Sequence, residues 1–395
     1  MVQKASFEPL PALAEFLAPF AGHFVRSEGR EDLERYSTGL LSDLPRKNGD
    51  TIAAVIPGTN AQRLQELLTR IQWDEGAFNG QRVQQMAAQV GQGKGALILD
   101  DSGFGKQGQA SVGVSKQYSG TLGKVDRCQV AVTSVYAETS VCWPVDVQLY
   151  LPQEWTDDPA RCARAGVPVG VTFQTKPQMA LAMVERADQW GVPYQVVVVD
   201  AGYGRDHLFL SGLEERGKRY AVAVPCDFSV EVLGQAAQGS RRAEVVLKEW
   251  PRAAWQTIPW REGTKGWLRK KFLAVRAYRT LAGERQQLGW LIGERPARGQ
   301  QGDGKYYFTN FPKSTSLLTM VDWLHRRYHI EQFHQEAKQL LGWDDYQGRL
   351  WTGFHRHATV VMLTYSFLQW QEWRQRQQAP RRRGRPRDAF SPSAG

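Results

Sequence analysis

The sequence has little of what marks membrane, secreted or zinc-knuckle proteins. No run approaches the roughly 20 apolar residues needed to cross a bilayer, and the first 20 residues lack the order of a signal peptide. Only 4 cysteines occur in 395 residues, and they form neither a Cys-x-x-Cys pair nor a secreted disulfide framework. We therefore expect a soluble, reduced, cytoplasmic protein with no membrane partner.

The positive charge of the chain is unevenly distributed. The chain carries 50 basic and 40 acidic residues, a net charge of +10, and such a surplus weakly favours a polyanionic partner. Seven arginines and no acid lie between Arg374 and Arg387, which leaves only +3 for the rest of the chain. A nearly balanced body therefore carries a strongly basic tail, whose Arg, Gln, Pro and Gly content is typical of disorder.

Apolar spacing predicts helices first and a sheet afterwards. Apolar residues recur at three- and four-residue spacing in Leu10–Phe20, Arg30–Leu41 and Ala61–Ile71, which predicts helices. From residue 95 short apolar runs, several of them rich in Val, Thr and Tyr, alternate with helical periods. This order predicts an α/β fold in which helices cover a mixed sheet.

The pattern changes twice more in the C-terminal half. From Cys226 to about Tyr306 the apolar runs are short and β-like, as in Ala243–Leu247. One long helix is predicted from Thr315 to Leu341 and another from Gly353 to Trp373. The segments we assign are 1–92 (helical region), 93–225 (first part of the α/β core), 226–306 (β-rich insertion), 307–374 (C-terminal core helices) and 375–395 (tail).

Three acidic residues stand where catalytic carboxylates are expected. Asp100 and Asp200 each end a predicted strand, and Glu331 lies in the long helix. Strand ends border the sites of α/β folds, and clustered carboxylates persist mainly where a divalent cation neutralises them. Two Mg²⁺ ions held in this way support phosphodiester cleavage. The spacing alone leaves open the alternative that each acid is a solvated strand or helix end.

The residues around these acids resemble one family of enzymes. The segments that carry the resemblance span most of the chain, in order: Tyr36-Ser-Thr-Gly-Leu-Leu-Ser-Asp-Leu-Pro-Arg-Lys, Leu99-Asp-Asp-Ser-Gly-Phe-Gly-Lys-Gln-Gly, Val112-Gly-Val-Ser-Lys-Gln-Tyr-Ser-Gly-Thr, Asp126-Arg-Cys-Gln-Val-Ala-Val, Val199-Asp-Ala-Gly-Tyr-Gly and Tyr328-His-Ile-Glu-Gln-Phe-His-Gln-Glu-Ala-Lys. The set as a whole resembles the DDE-type transposases of bacterial insertion sequences, in particular the family named after insertion sequence 701.

The resemblance implies a ribonuclease H-like fold with a β-rich insertion before the last catalytic helix. It implies cut-and-paste movement of an insertion sequence by metal-dependent hydrolysis and transesterification at the terminal inverted repeats. The family motif makes Asp100, Asp200 and Glu331 the catalytic and metal-binding carboxylates. Asp101 is the rival of Asp100, because neighbours on a strand face opposite sides.

The resemblance also implies cofactors and partners. The cofactor is Mg²⁺ or Mn²⁺, as two ions. The partners are the terminal repeats, whose recognition we assign to the helical N-terminal region and the insertion, and the target DNA. We expect a homodimer on DNA, associated with the nucleoid of a bacterial cell.

Basic residues on the helix of Glu331 are candidates for binding DNA phosphate. Arg327 lies four residues before Glu331 and Lys338 seven after it, so the three share one helix face. Relatives often have a tyrosine seven residues before the glutamate, where this chain has Leu324. The alternative for Arg327 and Lys338 is a solvated helix face with ion pairs.

Other basic residues extend the predicted DNA surface. Lys106 and Lys116 lie in a glycine-rich stretch after Asp100 that lacks the order of a P-loop, so no nucleotide cofactor is implied. The tail segment Arg-Gly-Arg-Pro resembles an AT-hook core, in which Arg383 and Arg385 suit the minor groove of A·T tracts. The alternative is a basic tail with sequence-blind, salt-sensitive affinity.

Alternatives remain for other residues and for the chain as a whole. Five histidines between His325 and His357 fit surface or DNA contacts better than zinc, because no cysteine accompanies them. The insertion's tryptophans fit core packing, or stacking of one of them on an unpaired base. A catalytically inactive, transposase-derived DNA-binding protein is the alternative to an active transposase, and the presence of all three acids with Lys338 favours the active enzyme.

Overall fold

The molecule is built around one long mixed sheet. Its computed structural model describes residues 10–91, 93–119, 123–139, 141–263, 266–296 and 304–378, so the predicted AT-hook arginines Arg383 and Arg385 lie outside the described residues. Within these ranges the strands form a single twelve-stranded sheet. None of the helices in the same ranges is long and apolar enough to span a membrane.

Helices occupy the chain before the sheet, as the apolar spacing predicts. Two of these helices, which begin at Gly49 and Glu75, were not predicted from the apolar spacing. Their starts are fixed by the side chains of Asn48 and Asp74, which accept hydrogen bonds from the following backbone N–H groups. A 3-10 helix, Ala18–His23, directly follows the first α-helix of the chain. The α-helices are α1 (Pro11–Leu17), α2 (Ser27–Leu41), α3 (Gly49–Val55), α4 (Ala61–Thr69) and α5 (Glu75–Val90).

Strands and further helices alternate through the rest of the chain. The strands are β1 (Gly95–Gly105), β2 (Ser115–Ser119), β3 (Lys124–Ala137), β4 (Cys142–Leu149), β5 (Tyr194–Val199), β6 (Tyr220–Val224), β7 (Ser229–Val232), β8 (Arg241–Arg242), β9 (Gln256–Gly263), β10 (Gly266–Leu281), β11 (Glu284–Pro296) and β12 (Lys305–Thr309). The helices are α6 (Gln153–Thr156), α7 (Pro159–Arg164), α8 (Lys176–Gln189), α9 (Ala201–Gly204), α10 (His207–Glu215), α11 (Ala243–Glu249), α12 (Leu317–His325), α13 (Tyr328–Gln339) and α14 (Trp351–Gln378). Short 3-10 helices lie at Ala236–Gln238 and Arg252–Ala254.

The core of the sheet has the spatial order β4-β3-β1-β5-β6. Strand β3 pairs antiparallel with both β1 and β4, whereas β5 is parallel to β1 and β6 is parallel to β5. An antiparallel meander followed by two parallel strands is the arrangement of a ribonuclease H-like fold, as the resemblance implies. The parallel pairing of β1 and β5 ends at Leu99 and Val199, and β1 continues beyond it to Gly105 beside β3.

Helices cover both sides of this core. Helices α8 and α10 pack on each other, and α8 packs on β3 and β4. Helix α13 packs on β1, β3 and β4, and α12 packs on β5 and β6. The N-terminal helices α2, α4 and α5 pack on α14, which itself lies against β4.

The predicted insertion continues the core sheet. Strand β12 pairs with β6, and the order then runs β12-β11-β10-β7-β8, with β9 pairing to the other part of β10. One predicted element is wrong, because Ala243–Leu247 is the start of helix α11. Its buried residues are Ala243, Val246 and Leu247, a three- and four-residue spacing that a five-residue apolar run does not distinguish from a strand.

The long helix predicted from Thr315 to Leu341 is two helices, so this prediction is also wrong. Helix α12 ends at His325 and α13 begins at Tyr328, with Arg326 and Arg327 between them. The backbone there closes three-residue turns from His329 N to Arg326 O and from Ile330 N to Arg327 O. The apolar period continues through the break, which is why the sequence does not reveal it.

Candidate active site

Asp100 and Asp200 directly follow the last residues that β1 and β5 pair in parallel. Asp200 follows the end of β5, but the prediction that Asp100 ends its strand is wrong, because β1 continues to Gly105 through its pairing with β3. The register of β1 and β5 pairs Leu99 with Val199, so the following residue of each strand is an aspartate. Asp200 also caps α9, where its Oδ1 accepts hydrogen bonds from Gly202 N at 2.9 Å and Tyr203 N at 3.3 Å. These bonds fix one carboxylate oxygen at the sheet edge.

The turn after Asp200 requires glycine at one position. A Cβ atom on Gly204 would lie 1.9 Å from the carbonyl oxygen of Ala223, which no side chain tolerates without movement of the backbone. Strand β6, which carries Ala223, thereby holds the turn close to the sheet. The Asp-Ala-Gly-Tyr-Gly segment thus fixes the position of its aspartate relative to two strands.

Asp100 is a buried carboxyl group surrounded by charge. Its exposed fraction is 9%. Burial first, and then the negative charges of Asp200 and Asp101, raise the pKa of Asp100 to about 7 against the opposing effect of the Arg327 guanidinium. Because this pKa is near neutrality, a cation bound nearby would strongly favour the ionised form of the Asp100 carboxyl group.

Asp101 faces the other side of the sheet. Its carboxylate pairs with the ammonium group of Lys176, at the start of α8, whereas Asp100 contacts Arg327, which caps α13. Successive residues of a strand point to opposite faces, and here those faces carry different helices. The two candidates for the first acid therefore have different surroundings.

Arg327 bridges the first and third acids. Its Nη1 lies 3.2 Å from Asp100 Oδ2, and its Nη2 donates to Glu331 Oε1 one helical turn away. Although burial opposes its charge, the carboxylates of Asp100 and Glu331 raise the pKa of Arg327. Within the ranges the structure describes, no three His, Cys, Asp or Glu side chains converge closely enough to hold a metal ion.

Helix α13 is fixed to the strand of Asp100 by a short polar chain. The Thr133 hydroxyl donates to the backbone oxygen of Asp100 at 3.1 Å, so the contact of 2.7 Å between Thr133 Oγ1 and His334 Nε2 has the imidazole as donor. Burial lowers the pKa of His334 to about 3, with Lys338 and Arg327 adding to the shift. A neutral His334 protonated on Nε2 therefore connects the two elements.

The two predicted lysines nearest the acids donate to backbone oxygens. Lys338 Nζ lies 2.8 Å from Gly103 O, and Lys106 Nζ lies 2.5 Å from Tyr346 O. Burial lowers the pKa of each to about 8. Their predicted phosphate contacts remain predictions, and in this structure both ammonium groups support the polypeptide beside the site.

Lys116 lies on an open, basic groove beside the end of β1. The groove is lined by Lys106, Gln107, Lys116, Lys124 and Arg127, with one acid, Asp126, paired to Lys124 at 2.8 Å. The excess of positive charge makes this groove suitable for a phosphate backbone.

The histidines and tryptophans considered from the sequence have separate locations. His325 stacks on Trp260 with ring centroids 4.1 Å apart, and His357 Nδ1 lies 2.9 Å from Tyr36 OH inside the helical region. Trp255 is buried, whereas Trp267 is 48% exposed near the start of β10. The surface location expected from the sequence is wrong for His357, because its side chain is buried between the helices of that region.

Three residues near the acids were not singled out from the sequence. They are Lys176, Thr133 and Tyr203, the last of which has a buried hydroxyl with no hydrogen-bond partner in the described chain. Burial raises the pKa of Tyr203, and the charges of Asp101, Asp100 and Asp200 add to the shift. Of the three, only Tyr203 could have been found from the sequence, because it belongs to the Asp-Ala-Gly-Tyr-Gly motif that begins at Asp200.

Known proteins match this chain over most of its length. A family model described as DDE superfamily endonuclease matches residues 19–267, and one described as transposase DDE domain matches residues 174–367. A relative from Microchaete diplosiphon, named as a probable transposase for insertion sequence element IS701, is 26% identical over 314 residues. The match covers 78% of this chain and 74% of the relative.

Proposed function

The chain belongs to the DDE superfamily of endonucleases, and we propose that it is the transposase that cuts and rejoins DNA at the ends of an insertion sequence. The observation that carries this proposal is that Asp100 and Asp200 directly follow the last paired residues of β1 and β5, with Glu331 joined to Asp100 through Arg327. The relative's name and both family models point to the same reaction class.

We propose that the three carboxylates hold divalent metal ions. Members of the superfamily use such ions, and the residues present fit them, because Asp100 and Asp200 are like charges crowded at one sheet edge and a guanidinium bridges Asp100 to Glu331. Hard carboxylate oxygens favour Mg²⁺ or Mn²⁺, and we propose two ions. Bound there, the ions would activate an attacking oxygen and stabilise the leaving one.

The chain's own residues supply position and charge. Asp200 is fixed by two backbone N–H groups through Oδ1, and Oδ2 accepts no hydrogen bond from the described chain. Thr133 and His334 fix α13 against β1, which keeps Glu331 near Asp100. Asp101 takes no part in this arrangement, because Lys176 neutralises it on the opposite face.

The proposed reaction has two balanced steps. In the first, a water oxygen attacks the phosphorus at the end of the element, the P–O3′ bond breaks, and the leaving oxygen takes up a proton to become a 3′-hydroxyl group. In the second, that 3′-oxygen loses its proton and attacks a phosphorus of the target, and a target 3′-oxygen leaves. No nucleotide cofactor is needed, because each step exchanges one phosphoester bond for another or for water.

DNA contacts are proposed from the positive surface. Arg327 contacts two of the three acids, and Lys116 lines the basic groove at the Gly105 end of β1, the strand that also carries Asp100. The tail arginines Arg383 and Arg385 would add affinity away from the proposed reaction site. Because an element has two ends, we propose that a homodimer acts on DNA and that the protein associates with the nucleoid.

Cleavage of labelled element ends by purified full-length protein tests the proposal. Asp100→Asn, Asp200→Asn and Glu331→Gln are expected to lower the cleavage rate by about 10³-fold, the equivalent of about 4 kcal/mol. Asp101→Asn is the matched control and is expected to cleave at nearly the wild-type rate, because it loses only a partly exposed ion pair on the opposite face of the sheet.

Two outcomes would contradict parts of this assignment. Full cleavage in excess chelator would remove the metal mechanism, and an inactive Asp101→Asn with an active Asp100→Asn would exchange the roles of the neighbours. Binding of the ends without cleavage by the wild-type protein in Mg²⁺ or Mn²⁺ would instead identify an inactive DNA-binding relative.

A further inference from the structure

Arg327 occupies an unusual position for a residue expected to contact DNA. Its guanidinium lies between two of the three carboxylates to which we assign metal binding, one on β1 and one on α13. A guanidinium remains charged at any working pH. The group therefore neutralises the site from within the protein itself.

We propose that Arg327 is an internal counter-cation that holds the metal-free site together and is displaced when a divalent cation binds. This role rests on the proposed function, because it takes Asp100 and Glu331 as metal ligands. In this role, the Arg327 guanidinium competes with the divalent cation for the carboxylates of Asp100 and Glu331. The released guanidinium then becomes available to the anionic substrate.

The two cations exclude each other on geometric grounds. Mg²⁺ binds its oxygen ligands at about 2.0–2.1 Å around a single centre. The guanidinium instead contacts Asp100 Oδ2 from Nη1 at 3.2 Å and Glu331 Oε1 from Nη2, so it occupies the carboxylate oxygens that a shared metal ion would need.

Helix α13 is held in place independently of the Arg327 side chain. Ile330, Phe333 and Ala337 are buried beneath it. His334 bonds to Thr133, and Lys338 bonds to Gly103 on the strand of Asp100. The guanidinium therefore has room to leave without loss of the helix, since the Arg327 side chain is 31% exposed.

The neighbouring Arg326 provides a matched control. It pairs with Asp322 at 2.8 Å and donates to the backbone oxygen of Lys94, also at 2.8 Å, and it contacts neither Asp100 nor Glu331. Both arginines stand at the same break between helices. A change at Arg326 therefore alters charge and local stability without touching the acids.

The test is calorimetric titration of DNA-free, full-length protein with Mn²⁺ at constant ionic strength. Arg327→Gln is expected to bind Mn²⁺ about tenfold more tightly than the wild type, because no internal cation must be displaced. Its melting temperature without metal should fall, and the rise in melting temperature on adding Mn²⁺ should exceed that of the wild type. Arg326→Gln should bind Mn²⁺ within about twofold of the wild type.

Arg327→Lys distinguishes the bridge from simple charge. A single ammonium cannot span both carboxylates as a planar fork does, so this variant should also bind Mn²⁺ more tightly than the wild type, by less than Arg327→Gln. If Arg327→Gln does not fold, the Mn²⁺ affinity of Arg327→Lys is the measurement that tests the proposal. Affinity of the folded variants equal to or weaker than that of the wild type would overturn the proposal.

Failure of the proposed function gives a different pattern. If the wild type binds no Mn²⁺ and Asp100→Asn cleaves normally, the metal assignment itself is wrong. If the wild type binds Mn²⁺ and cleaves DNA, but Arg327→Gln and Arg327→Lys bind no more tightly, only the role of Arg327 is wrong.

Discussion

Replacement of Arg279 by Met should strongly destabilise the protein, because it breaks a buried ion pair between the insertion and the core. Arg279 lies on β10 and is fully buried, and its Nε and Nη2 lie 2.8 and 2.6 Å from the two carboxylate oxygens of Glu214 on α10. Ser211 Oγ accepts a further bond at 2.7 Å, and the Tyr220 hydroxyl donates to Glu214 at 2.7 Å. The pair thus joins two parts of the chain by several short bonds.

The expected loss follows from leaving a carboxylate without its partner. Removal of one member of a buried pair costs about 3–5 kcal/mol. Since the Glu214 side chain is 16% exposed, some solvation remains, and the lower end, about 3 kcal/mol, applies. In a cycle with Glu214→Gln, the double variant should be more stable than the sum of the two changes predicts, by roughly 2 kcal/mol.

The assay is urea unfolding followed by tryptophan fluorescence, with Arg216→Met as the control. Arg216 also belongs to the end of α10, but its pair with Glu185 is half-exposed, and such pairs contribute about 0–1 kcal/mol. A second readout is available in His207, whose pKa is lowered by burial and then by Arg279. Removal of that charge should raise the pKa of His207, which NMR titration measures.

A loss below about 1 kcal/mol for Arg279→Met, or additive effects in the cycle, would refute the reasoning. Either result would mean that solvent reaches Glu214 once the arginine is gone. An unchanged His207 pKa would contradict the electrostatic part separately.

Three further predictions concern other parts of the chain. Arg82→Lys should lower the free energy of unfolding by about 2 kcal/mol or more, since the buried guanidinium makes several bonds that an ammonium cannot all reproduce; thermal melting measures this. Gly204→Ala should impair both folding stability and cleavage, because its methyl group would displace the turn of Asp200 from Ala223, and a variant with wild-type melting temperature would contradict this. Deletion of residues 375–395 should flatten the slope of log affinity against log salt by several units, at about 0.9 per DNA phosphate that the tail neutralises, and an unchanged slope would exclude the tail from DNA contact.

The strands that carry the acids were predictable from sequence for a simple reason. Strands β1 and β5 each contain a buried apolar run that an aspartate follows directly, and both features are local. Their parallel pairing, by contrast, is set by the whole fold. The family resemblance supplied that arrangement, and the register of β1 and β5 is consistent with it.

The contacts of the C-terminal helices were not predictable in the same way. Helical spacing places Arg327, Glu331 and Lys338 on one face, but it does not say what that face contacts. In the structure Lys338 reaches the backbone of β1, and Arg327 pairs with Asp100 from the break between α12 and α13. Both outcomes depend on residues more than 200 positions away, which no local pattern contains.

The continuity of the sheet has a consequence for dissecting the protein. Because β12 pairs with β6 on one side and with β11 on the other, a cut between the core and the insertion at residue 306 divides β12 and would expose unpaired backbone N–H and C=O groups on each piece. Such open strand edges associate readily with other chains. Separate expression of residues 226–306, or of a core lacking them, should therefore yield aggregating material, and truncations that keep β12 together with both of its partner strands are the ones suited to biochemical work.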